Sequence, residues 1–317
     1  MAAETAAEKS KRIKEEERKA RIAARKAVAE KKAKEEAEER ARREEQARLR
    51  WPVTRHLKSM LFKGAVIVNV TTIDQALLAQ EVGATAISAY PKTVLTAAQT
   101  GSVTRMPSPE VIKRYINTVL IPVFTSVRVG HLMEAQVMES IGVNVVDESD
   151  LLTTSDGMVP FSKRGLGVPT ICPVSTLKDC LLRIQEGALM LRTKTAQNSA
   201  NAGAALVVLK KIYDEITGMR LDASKKATYL GNASGIYLPL LEDVINKGRL
   251  PVLLFGSGGI HTATDAAMMM NYGCDGVFVD PMVFNTIDPE ESIKNIIQAV
   301  KNHNNVSKIC DLSANYI

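Results

Sequence analysis

The sequence predicts a (β/α)8 barrel with a long charged helical extension at its N-terminus, and three observations predict it. Short β-branched apolar runs recur eight times after residue 51, helical patterns separate them, and residues 1–50 share none of that grammar. Near-continuous apolar strands alternating with helices are what a parallel sheet covered on its outer side requires. Eight such repeats in roughly 250 residues favour a closed barrel over an open doubly wound sheet.

Residues 1–50 contain no Gly, Pro or Asp and consist mainly of Ala, Glu, Lys and Arg, all strong helix formers except in special contexts. One continuous helix of roughly 75 Å is expected. Seventeen Lys and Arg against twelve Glu give this segment +5 of the chain's formal +6, so the basic character of the protein resides there. Its larger apolar residues after Met1 are Ile13, Ile22, Val28 and Leu49, too sparse for sustained heptads. The reading is a solvated helix laced by i,i+4 ion pairs, with docking on a partner as the sharper alternative. Interspersed Glu and the absence of aromatic residues argue against nucleic-acid binding.

The barrel proper is expected over residues 51–317. Its strands are read at 65–70, 84–89, 121–124, 143–147, 168–172, 188–192, 251–255 and 276–279. Helices are read at 73–82, 109–119, 131–141, 176–186, 204–216, 237–246, 262–272 and 290–303.

With 317 residues, 45% hydrophobic and 24% charged, the chain can bury a sizeable core, which excludes wholesale disorder. No apolar run approaches the roughly 18 residues that span a bilayer. Glu4 and Glu8 are out of place in a signal or transit peptide, so a soluble, cytoplasmic chain without membrane contact is expected. Cys172, Cys180, Cys274 and Cys310 are scattered and form no CxxC pair. The expectation is reduced core thiols, with neither a disulfide framework nor a metal site.

In such a barrel chemistry sits at the C-terminal ends of the strands. The positions to weigh are Asn69, Tyr90, Ser126, Asp147, Cys172, Arg192, Lys194, the run Gly256–Gly259, and Asp280. Gly256-Ser257-Gly258-Gly259 precedes a helix, so its backbone N–H groups can cradle a phosphate, or simply form a tight turn. Lys194, beside Arg192, reads as an imine-forming or phosphate-binding lysine, or as an ion-paired surface lysine. Asp147 reads as an acid/base carboxylate or as a helix cap. His131 and His261 both open helices, where capping or packing suffices to explain them.

Taken in order, "MLFKGAVIVNV" (60–70), "IPVFTSVRVGHLMEAQVMESIGV" (121–143), "VDESDLLT" (146–153), "RIQEGALMLRTK" (183–194) and "LPVLLFGSGGIHTATDAAMMMNYGCDGVFV" (250–279) resemble the synthase subunit of pyridoxal 5′-phosphate synthase, the PdxS/SNZ family. The likeness runs from about residue 53 to the C-terminus. It implies a barrel that assembles into hexameric rings and dodecamers, as homo- or hetero-oligomers of PdxS/SNZ-type subunits. It also implies condensation of ribose 5-phosphate, glyceraldehyde 3-phosphate and ammonia, the last delivered by a glutaminase subunit. No cofactor and no metal are expected.

Carried over position by position, the resemblance breaks at the reacting groups. Asn69 stands where the family has an Asp in a "VIMDV"-like context, and an amide cannot take a proton at neutral pH. Ser126 stands where the family has the imine-forming lysine of an "IPVMAKARIGH"-like segment, and a hydroxyl cannot form a Schiff base. Asp280-Pro281 replaces a Gly-Ser that donates to the sugar phosphate. Pro281 removes an N–H, and a carboxylate about 4 Å from a dianion costs about 4 kcal/mol per charge pair at an effective dielectric near 20. Pro91-Lys92 replaces a Glu-Arg pair, Leu182 precedes Arg183 where the family has tandem arginines, "TAQNSAN" (195–201) replaces a Gly-rich loop, and the covering tail is cut short at Ile317.

What is retained is Asp147, Arg128, Arg192, Lys194 and the Gly256–Gly259 turn. Lys194 and Asp147 are thus the surviving catalytic positions, and Gly258, Gly259, Asp280, Pro281 and Arg192 form a degenerate phosphate site. The expectation is a pseudoenzyme that co-assembles with active subunits. The alternatives are an enzyme working through Lys194 alone, and a structural protein recruited by its basic helix.

Overall fold

The computed structural model describes residues 64–90, 104–150, 152, 161–194, 201–231 and 234–314, together with Lys31 and Lys34. The helix expected over 1–50 lies outside the described residues apart from those two lysines, which are helical and exposed. The barrel belongs to the unit Leu57–Ile317.

Eight strands form it: β1 Ala65–Val70, β2 Ala86–Ala89, β3 Val123–Arg128, β4 Val145–Ser149, β5 Thr170–Val174, β6 Met190–Thr193, β7 Leu253–Ser257 and β8 Gly276–Val279. They close in sequence order, β1 pairing with β8, and every pairing is parallel. Around them lie α1 Ile73–Glu81, α2 Pro109–Thr118, α3 Leu132–Ile141, α4 Leu177–Gln185, α5 Ala202–Leu221, α6 Ala223–Gly231, α7 Leu238–Lys247, α8 Ala263–Asn271, α9 Pro289–Lys301 and α10 Val306–Ser313. None of the helices among the described residues is long and apolar enough to cross a membrane.

Six of the eight strands start two residues later than the apolar runs suggested, and most of those run further toward the polar end. The runs at 121–124, 143–147, 168–172 and 251–255 begin in the incoming loops, where Ile121, Val143, Val168 and Val252 pack into the layer between strands and helices. The ladder then continues through Ser126, Asp147, Ser149 and Ser257. Backbone pairing follows hydrogen bonding, whereas an apolar run reports only burial. The helix expected at 204–216 extends to Leu221, since Met219 still faces the core. Both α6 and α10 escaped the periodicity reading, and α10 buries none of its residues.

Local chemistry explains the helix ends. Thr72, Thr176 and Thr262 each accept a hydrogen bond from the backbone N–H three residues on, at 3.3, 3.1 and 3.0 Å, which satisfies N–H groups the helix itself leaves unpaired. Gly276 is required by close packing, since a Cβ there would run into the Ala65 carbonyl and the Phe255 ring. Inside the barrel Phe278 meets Phe124 and Phe255 edge to face, with centroids 5.9 and 5.7 Å apart. Cys172, Cys180 and Cys274 are buried free thiols, but Cys310, expected in the core, is exposed on α10, whose few apolar contacts leave that face in solvent.

Candidate functional site

Strand geometry decides which side chains reach the barrel mouth. Ala65, Ile67, Ala86, Phe124, Val145, Ile171, Met190, Leu253, Phe255 and Phe278 make up the apolar interior. Side chains alternate along a strand, so the next inward position on each strand follows two residues later. From β1 to β8 these positions are Asn69, Ser88, Ser126, Asp147, Pro173, Arg192, Ser257 and Asp280. Seven of the eight are polar, forming a ring directly above an apolar floor. Lys194 stands two residues beyond Arg192 and is exposed.

One side of this ring is closed by charge. Arg192 Nε donates to both oxygens of Asp147, each at 3.1 Å, and its Nη2 donates to Asp150 at 2.8 Å and Ser149 at 3.3 Å. Burial pushes the Asp147 carboxyl up to about 6 against the opposing pull of Arg192. For Arg192 burial works against the charge, yet Asp147 and Asp150 raise its pKa above the ordinary arginine value. Asp147 is therefore an ion-paired carboxylate and not the helix cap that its position also allowed. Burial, followed by the Asp147 charge, raises the Tyr90 phenol, and this hydroxyl pairs with Ser149 Oγ at 2.7 Å.

The opposite side, from β1 to β3, is neutral. Asn69 Oδ1, Ser88 Oγ and Ser126 Oγ are buried and hold no hydrogen bond of good geometry, although Ser126 lies close enough to Tyr90 to act on it. Asn69 and Ser88 are register partners, as are Ser126 and Asp147.

The Gly-rich turn combines a strained backbone with an inward hydroxyl. Gly258 and Gly259 have φ of 109° and 65°, the left-handed region where a side chain is disfavoured. Thr193 Oγ1 donates to the Ser257 carbonyl at 2.7 Å and accepts from the Ser257 N–H at 2.8 Å, which locks β6 to β7 beneath the turn. Asp280 accepts from Met282 N–H at 3.0 Å, and Pro281 opens the 3-10 turn Pro281–Asn285. That carboxylate takes up the N–H that follows the proline. His131 accepts from Glu134 N–H at 3.2 Å as the cap of α3, and His261 Nδ1 lies 2.8 Å from the Gly259 carbonyl.

Arg128 turns away from the ring. Its Nε donates to Glu134 at 2.7 Å and its backbone N–H to the same carboxylate at 2.8 Å. Pro91, Lys92 and residues 195–200 lie outside the described residues.

Behind β4 and β5, on the outward face, lies a charged cluster that the sequence reading missed. Lys163 Nζ and Glu148 are both wholly buried and 2.9 Å apart, and Lys163 also reaches Glu186 at 2.7 Å. Glu148 accepts from Gly130 N–H at 3.1 Å and from Cys172 Sγ at 3.3 Å. The only signal available was Glu148 itself, a charged residue at an outward position of a strand otherwise buried on both faces. Ser88, too, was legible only as a polar residue inside "AISAY". Among the described residues no group of three His, Cys, Asp or Glu is placed to hold a metal ion.

The profile of the SOR/SNZ family matches residues 50–257. The pyridoxal 5′-phosphate synthase subunit PdxS of Clostridium botulinum (strain Loch Maree / Type A3) is 39% identical over 250 residues, covering 79% of this chain and 86% of that one. PdxS of Methanosarcina mazei is 37% identical over 251 residues, 79% and 83% of the two chains. The probable pyridoxal 5′-phosphate synthase subunit SNZ2 of Saccharomyces cerevisiae is 35% identical over 258 residues, 81% and 87%.

Proposed function

The chain belongs to the SOR/SNZ family, and we propose that within it this chain is a non-catalytic homologue of the pyridoxal 5′-phosphate synthase subunit PdxS. Its role is to assemble with synthase-type subunits, as a homo- or hetero-oligomer in the cytoplasm, and through them with a glutaminase subunit. The observation that carries this reading is Ser126, wholly buried in the inward ring at the position where the family resemblance places the imine-forming lysine. Packing and site chemistry separate readily in a barrel, because the floor and the mouth are built from different positions of the same strands.

The rest of the ring supports the same conclusion. Asn69 offers an amide at the end of β1. Arg192 has its Nε and Nη2 committed to Asp147, Asp150 and Ser149. Asp280 sets a carboxylate beside the Gly258–Gly259 turn. Residues 1–50 form a separate charged extension in this reading, available to a partner and dispensable for assembly of the barrels.

The test is intact mass after borohydride reduction with ribose 5-phosphate, alongside native mass of the chain alone and mixed with an active synthase subunit. No adduct and a mixed ring are expected. Ser126→Lys alone is expected to give little adduct, with trapping appearing only when Asp280→Gly and Pro281→Ser are added, since an amine is useless until the sugar is held. A robust adduct on the unaltered protein would refute the reading and point to Lys194.

A further inference from the structure

We propose that the β1–β3 side of the polar ring binds a small uncharged polyhydroxy compound, a short polyol or an unphosphorylated sugar. The inference rests on the non-catalytic reading above and names the ligand class that the altered mouth suits.

The first argument is polar satisfaction. Buried side-chain oxygens in native proteins nearly always have a hydrogen-bond partner, and clusters that lack one mark a missing ligand or water. Three such atoms, Asn69 Oδ1, Ser88 Oγ and Ser126 Oγ, come from consecutive strands and share one inward layer. Ser88 and Ser126 are both wholly buried. Among the described residues Asn69 Oδ1 and Ser88 Oγ have no partner, and Ser126 has beside it only the Tyr90 hydroxyl, which already pairs with Ser149.

The second argument is chemical type. An amide oxygen only accepts, whereas a serine hydroxyl donates and accepts. The complementary ligand therefore presents several groups that can do both, which describes vicinal hydroxyls. Neighbouring strands lie about 4.8 Å apart, a spacing that the hydroxyls of one short carbon chain can span.

Charge supplies the third argument. The cation of the ring, Arg192, is already matched by Asp147 and Asp150 at hydrogen-bond distance, and Asp280 adds a further carboxylate. An anionic ligand meets no uncommitted cation in this layer, and a cationic one, which only donates, would satisfy Asn69 Oδ1 but give the serine hydroxyls nothing to donate to. A neutral ligand loses least on leaving water, because its hydroxyls exchange water for the ring oxygens one for one.

The experiment is calorimetric titration of the full-length protein with ribitol and with D-ribose, and separately with ribose 5-phosphate. Ser88→Ala and Asn69→Leu serve as two independent variants. Binding of at least one neutral compound in the millimolar range or tighter is expected, with ribose 5-phosphate at least about tenfold weaker. Each variant should weaken binding roughly fivefold to tenfold. Its melting temperature should be unchanged or raised, since an unpartnered buried oxygen has been removed; a purely structural residue would lower it.

Absence of heat with both neutral compounds at millimolar concentration means water alone fills the layer, and overturns the proposal. So does binding that neither variant alters, or ribose 5-phosphate binding as tightly as ribose. The non-catalytic reading fails by a different result, a reduced covalent adduct on the unaltered protein, so the two failures are distinguishable.

Discussion

Replacing Lys163 by Met tests the buried cluster behind β4 most directly. The lysine side chain and its partner Glu148 are both inaccessible to solvent and 2.9 Å apart. Met fills nearly the same volume, so the loss is electrostatic and not one of packing. Glu148 then remains buried beside the Cys172 thiol and the Gly130 N–H, without its cation. Removing one partner of a buried pair leaves an uncompensated charge and costs about 3–5 kcal/mol. Arg183 Nη1 stands 3.9 Å from Glu148 and lowers the loss toward about 3 kcal/mol.

Urea denaturation of wild type and Lys163→Met at pH 7 and one fixed protein concentration measures the loss. The double variant Lys163→Met/Glu148→Gln should recover at least about 1 kcal/mol. A deficit smaller than about 1 kcal/mol, or a double variant no more stable than the single one, would refute the reasoning.

Three further outcomes are expected. Because burial holds the Asp147 carboxyl at about 6 against an ordinary 3.8, its contribution is whole below pH 3.8 and is lost as pH rises through 6. The stability lead of wild type over Asp147→Asn should thus narrow by up to about 3 kcal/mol across that window, read by denaturation at each pH. Thr193→Val strands the Ser257 N–H and carbonyl that one hydroxyl now serves, and should cost about 2 kcal/mol in the same assay. Gly258→Ala, at φ 109°, should cost about 1–3 kcal/mol, whereas Gly165→Ala, with open space around it, should stay within about 0.5 kcal/mol.

Much of the barrel is legible in the sequence. Eight apolar runs separated by helical patterns imply eight parallel strands, because each strand is buried between an interior and a helical layer and must be apolar on both faces. The mouth positions were legible for the same reason, once strand ends were taken as the place for chemistry. Ser126 and Asp280-Pro281 declared their departure from the family through the motifs around them. Strand ends were less legible, since the ladder runs past Val146 and Phe255 into polar residues that no apolar run reports.

The alternation of apolar strands and helices, the family motifs and the altered residues at the strand ends are properties of the sequence by itself, because each depends on residue types at short spacing. The pairing of Asp147 with Arg192 across β5, the burial of Lys163 between Glu148 and Glu186, and the unpaired oxygens of Asn69 and Ser88 were decided only by the closed barrel. These contacts join residues tens of positions apart, or leave them apart, according to strand register and the direction each side chain takes. Lys163, which no sequence pattern singled out, becomes a buried ion where its turn, Lys163–Gly165, meets Glu148 and Glu186. Local pattern constrains which elements form, whereas partners and their protonation follow from the dielectric and the distances that only packing creates.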